Sequence, residues 1–146
     1  LTKGIDPDDY EAILPIPYYH VGSQNWDYTY LTDGIFSRRI AQMSASLRLP
    51  QMSSIMSRTP LKLAQKQFNI FYAPEESALQ DLKTNKALLV VVNDDLLQSD
   101  MDKAKNDQVP AHIKMLEYQH LFLQDSTTLR KITSQGAYSL YSYKPR

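Results

Sequence analysis

Ala87-Leu-Leu-Val-Val-Val92, followed by Asn93-Asp94-Asp95, is the stretch on which the fold turns. Six aliphatic residues in a row are too few to cross a bilayer. They lack the period-two alternation of a strand with one wet face, so they predict a central strand covered on both faces. The Asn-Asp-Asp that follows predicts a capped helix running to Lys105. Such a unit, a buried strand leading directly into a helix, belongs to layered α/β architecture.

Working outward, strand and helix patterns alternate. Tyr10 to Tyr19 has the apolar density of a strand, and Pro15 and Pro17, which cannot donate to a ladder, imply an edge strand or its irregular end. Val21 to Asn25 reads as a loop. Leu31 to Leu49 reads as a helix with Phe36, Ile40, Met43 and Leu47 on one face, stopped by Pro50. Gln51 to Arg58 reads as a second strand. Thr59-Pro60 reads as a helix start, with Thr as cap and Pro in the first turn. Leu61, Ala64, Phe68 and Phe71 form that helix's buried stripe. Pro74-Glu75-Glu76 opens a further helical stretch through Leu82. Beyond Pro110, Ala111 to Tyr118 reads as a short helix and His120 to Gln124 as a strand. Ser126 to Ser134 reads as a helix or a loop, Gly136 as a turn, and Ala137 to Tyr143 as a terminal strand. The expected fold class is therefore α/β: a layered, Rossmann-like domain with a mainly parallel sheet flanked by helices, the last strands free to run antiparallel. The 146 residues suffice for one domain, 1–146, with a real core.

Composition removes several function classes. Lys plus Arg and Asp plus Glu are both 16, so the net charge is zero, which argues against nucleic acid as a partner. Arg38-Arg39 reads as a solvated helix face. There is no cysteine, which excludes disulfides, zinc thiolates and cysteine nucleophiles. With four glycines, a phosphate-cradling loop is hard to build. His112 and His120 stand away from any acidic cluster, so no metal site and no cofactor are expected.

The polar and aromatic residues crowd into one place. Tyr18, Tyr19, His20, Ser23, Gln24, Asn25 and Trp26 fall within nine positions. Rings that stack on sugar C–H faces, flanked by amides that hold hydroxyls, suit a glycan or other polyol. Burial of the rings with turn contacts for the amides accounts for the same residues, and carries more weight for each one singly. His20 and Ser23 lack the G-x-S-x-G spacing of a serine hydrolase and lack an acid partner. Arg58, beside a helix start, would meet a phosphate or carboxylate, with a salt bridge as the plainer role. Asp94 and Asp95 could hold a divalent metal at a strand's carboxyl end, although helix capping is the weightier reading.

"DYEAILPIPYYHVGSQNW" (Asp9 to Trp26) resembles the opening of the soluble C-terminal domain of large polytopic bacterial membrane proteins of the Bacteroidetes type. These are related to membrane glycosyltransferases that use polyprenyl-phosphate sugars. "LPQMSSIMSRTP", "ALLVVVND", "HLFLQDS" and "AYSLYSYK" are similar to later stretches of the same domain. The local match falls on Tyr19, His20, Gly22, Ser23 and Trp26, with Ser57 and Arg58.

The resemblance implies a non-catalytic accessory domain excised from a larger membrane protein. It would stand at the extracytoplasmic (periplasmic) face of the inner membrane, and no catalytic residue carries over. Its expected ligand is a glycan, a lipid-linked sugar or a partner protein, met by Tyr19, His20, Ser23, Gln24, Asn25, Trp26 and Arg58. Two alternatives stand beside it. One is a structural or protein-interaction module without a small ligand. The other is a stand-alone metal-dependent enzyme using Asp94 and Asp95.

Overall fold

The computed structural model describes residues 1–23 and 33–145, with the backbone alone for residues 20–23 and 54–59. Strand β4 (Ala87–Asn93) forms where the aliphatic run predicts it, and Leu88 through Val92 are completely buried. Its neighbours are β1 (Tyr10–Ile16), paired parallel with Leu14 opposite Val90, and β6 (Tyr138–Tyr143), paired antiparallel with Leu140 opposite Val91. β5 (Leu129–Gln135) pairs antiparallel with β6, which gives the strand order β1-β4-β6-β5.

The four-stranded sheet is thus mixed, with one parallel and two antiparallel pairs, and not mainly parallel as expected. A strand covered on both faces reads the same whichever way its neighbours run, so the aliphatic run carried no direction. The β5–β6 direction comes from the tight turn at Gly136, whose φ of 59° suits glycine.

β1 stands at the end of the sheet, in line with its prolines. Its outer edge is not bare: Ile13 N–H donates to the Pro50 carbonyl at 2.8 Å, and Met52 N–H donates to the Ile13 carbonyl at 2.8 Å. Past this point, β2 (His20–Ser23) and β3 (Ser54–Thr59) pair parallel in a separate two-stranded sheet. Val21 to Ser23, read as the start of a loop, therefore belong to a strand, because pairing with β3 takes up backbone groups that a loop would leave to water.

The helices follow their apolar spacing. α1 (Gly34–Leu47) buries Phe36, Ile40, Met43 and Leu47, the four residues its periodicity names. Asp33 caps it, accepting from Ile35 N–H at 2.7 Å and Phe36 N–H at 3.1 Å. α2 (Leu61–Phe68) buries Ala64 and Phe68 but leaves Leu61 exposed. Thr59 ends β3 and does not cap α2; Pro60 occupies the cap position, and its carbonyl accepts from Leu63 and Ala64 N–H. The stretch after Pro74 forms two short 3-10 turns, Pro74–Glu76 and Ala78–Asp81. α3 (Asp94–Asp107) starts on Asn93, whose side chain accepts from Leu96 N–H at 3.0 Å.

α4 corrects two readings at once. It runs unbroken from Pro110 to Gln124, so the stretch His120–Gln124 is helix and not strand. Met115, Leu116 and Gln119 are buried and Phe122 and Leu123 half-buried, a three-and-four spacing that extends the helix face through the supposed strand. Phe36 of α1 packs on Tyr138, and Phe122 of α4 packs on Tyr143. These tyrosines are an odd number of positions apart on β6, so the two helices meet opposite faces of the sheet.

Candidate functional site

Of the crowd of residues read from the sequence, the structure describes the side chains of Tyr18 and Tyr19. Tyr18 is fully buried: its hydroxyl donates to the Met52 carbonyl at 2.7 Å, and its N–H donates to Gln119 Oε1 at 2.7 Å. Tyr19 is 1 % exposed, its ring edge-on to Phe36 at 6.2 Å and its hydroxyl donating to Gln51 Oε1 at 3.2 Å. Burial pushes both phenols above their ordinary pKa. Both rings are core in this arrangement, and neither offers a face to a ligand.

The pairing of His20 with Ser54 and of Ser23 with Thr59 brings His20, Ser23 and Arg58 onto adjacent strands. Gln24, Asn25 and Trp26 lie outside the described residues. Asp94 and Asp95 are exposed in the first turn of α3, and Asp94 Oδ2 accepts from Ser139 Oγ at 3.2 Å. Among the described residues, no group of three or more acidic or histidine side chains converges as a metal site.

A concave site forms elsewhere. Where the 3-10 turns between α2 and β4 meet the second half of α4 and the end of β6, a cleft of about 590 Å³ opens, a size usual for small-ligand pockets. Its floor is a chain of rings: Phe71 edge-on to Phe122 at 5.4 Å, and Phe122 edge-on to Tyr143 at 4.9 Å. Its wall is the pair Tyr72 and Tyr118, with centroids 5.1 Å apart and planes tilted by 32°. Tyr72 stays 46 % exposed despite that contact, so the pair presents aromatic surface to solvent.

The rim is polar. Gln80 Nε2 donates to the Pro74 carbonyl at 3.1 Å, and Glu75 lies exposed beside it. Asp125, at the end of α4, accepts from Thr127 N–H at 3.0 Å, Thr127 Oγ1 at 2.6 Å and Thr128 Oγ1 at 2.8 Å, which fixes the carboxylate's orientation. Rings that cover apolar C–H faces, with acceptors around them, suit a polyol ligand.

No local sequence signal marks this cleft. Tyr72 follows the stripe of α2, and Tyr118 sits in mid-α4; only the docking of α4 brings them together. No family model, no curated protein and no solved structure matches this chain.

Proposed function

We propose that this chain is a binding domain that takes a glycan in the Tyr72–Tyr118 cleft without transforming it. It would serve as an accessory part of a larger extracytoplasmic membrane protein of the glycosyltransferase-related kind. The observation that carries the binding reading is the half-exposed ring of Tyr72, held against Tyr118 above a floor of packed aromatics. An ordered aromatic platform loses little entropy on binding, since its neighbours already fix it. The contact of α1 and α4 with opposite sheet faces supports the layered, Rossmann-like part of the sequence reading.

Calorimetric titration with a panel of oligosaccharides tests the reading. Tyr72→Ala should weaken binding about tenfold or more, an effect of about 1.4 kcal/mol. Loss of the ring pair with Tyr118 should cost about 0.5–1.5 kcal/mol, a small drop in melting temperature that leaves the domain folded. A loss caused by Trp26→Ala and not by Tyr72→Ala would move the site to the stretch read from the sequence. Wild-type protein that binds no glycan would overturn the reading in favour of a protein-interaction module.

The cellular placement has its own test. An antibody against this domain should detect a band in the membrane fraction of the source cells, well above 16.8 kDa. A soluble band at that mass would remove the accessory-domain reading.

A further inference from the structure

The two ends of the four-stranded sheet differ. The outer edge of β1 meets the Pro50–Met52 segment, whereas β5 closes the other side of the sheet and pairs, among the described residues, with β6 alone. Arg130 through Gln135 are all exposed, so neither face of this strand is covered. A strand so placed presents a row of outward N–H and C=O groups to which a further strand can pair.

The side chains of β5 say which strand. Arg130 and Lys131 are consecutive and project to opposite faces of the sheet; Arg130 stands beside Ser142, and Lys131 Nζ lies 5.9 Å from the centre of the Tyr141 ring. Ile132, where the register against β6 slips, is 37 % exposed, and Thr133, Ser134 and Gln135 carry no charge. We propose that β5 receives an extended acidic segment of a partner protein as a fifth strand. Carboxylates opposite Arg130 and Lys131 would meet one cation on each face, in addition to the main-chain bonds. A second copy of β5 fits worse. Laid antiparallel about Ile132, the two copies bring their Lys131 side chains onto one diagonal of the same face, about 7–8 Å apart, where like charges repel. The cleft and this edge use different residues, so the glycan reading and this one stand or fall separately.

The test uses a fluorescent threonine-rich peptide with an Asp-Glu pair at its centre. One control carries Lys-Lys there. A second keeps the acids and sets a proline on either side of them, which removes a ladder donor from each edge of the peptide and leaves the charge unchanged. By fluorescence anisotropy the acidic peptide should bind about tenfold more tightly than the lysine peptide, and added salt should shrink that ratio. The proline control should lose most of the binding, and amide exchange along β5 should slow only with the parent peptide. Arg130→Glu combined with Lys131→Glu, at exposed positions, should reverse the preference while the domain stays folded. Equal binding of the acidic and lysine peptides, or no binding of the acidic one, would overturn the inference. Proline-control binding as tight as the parent's would reduce it to charge attraction without a strand and overturn it too. A wild-type dimer in sedimentation, with β5 amides protected, would give the edge to a second copy instead.

Discussion

Tyr18→Ala should remove about 3–5 kcal/mol of stability, a large share of what a domain of this size possesses. The side chain is fully buried, edge-on to Phe68 at 5.9 Å and to Phe71 at 5.6 Å, and its hydroxyl ties β1's end to the Met52 carbonyl. Truncation leaves a cavity among rings that are themselves anchored and collapse little. Tyr18→Phe keeps the rings together and loses only the hydroxyl's bond, at about 1–2 kcal/mol.

The two variants also separate in alkali. Burial first, with Tyr19 beside it, pushes the Tyr18 pKa far above its usual value of 10.0. Because the folded value is the higher one, this tyrosine's contribution is intact below about pH 10 and is lost as pH rises beyond it. Urea denaturation should therefore show wild type losing stability above about pH 10 more steeply than Tyr18→Phe. A loss below about 1 kcal/mol for Tyr18→Ala would sink the packing argument.

Gln119→Leu is the second large effect expected. Gln119 is fully buried on α4, where its Oε1 accepts the Tyr18 N–H and its Nε2 donates to the Met115 carbonyl at 3.4 Å. Leucine fills most of the space but leaves a buried backbone donor without an acceptor, at a cost of about 1–3 kcal/mol. Gln119→Glu separates this cause from shape. A glutamic acid supplies the acceptor but buries a carboxyl, whose folded pKa is driven above its unfolded value. Its stability should then be best at acidic pH and fall, relative to wild type, as pH rises through the raised pKa. If Gln119→Leu unfolds at the same urea concentration as wild type, the hydrogen bond contributes nothing.

Tyr18 and Gln119 also show how far the sequence could be read. Periodicity located α1's face, the unbroken aliphatic run located β4, and the Asn-Asp-Asp cap located α3. β5 was invisible: every residue after Leu129 is exposed, so no alternation marks it, and its strand character comes from pairing with β6. α4 was cut short at Tyr118 because "HLFLQ" has strand-like density, and its helical face shows only when counted back to Met115. The candidate site fared similarly. Tyr18 and Tyr19, read as part of a site, are core rings. The open rings, Tyr72 and Tyr118, lie far apart in sequence, and their meeting is a tertiary event without a local signature.

The parallel pairing of β1 with β4 has a consequence for how the chain is made. Leu14 must wait for Val90 before it has its partner. At about 5–20 residues per second, the interval at the ribosome is roughly 4 to 15 s. During that time Leu14 and Ile16 lack the β4 strand they pair with, whereas β5 and β6 can zip together as soon as their turn emerges. The nascent chain therefore carries β1 without its β4 partner for as long as the intervening residues take to be made. That interval is the window in which a chaperone would find it.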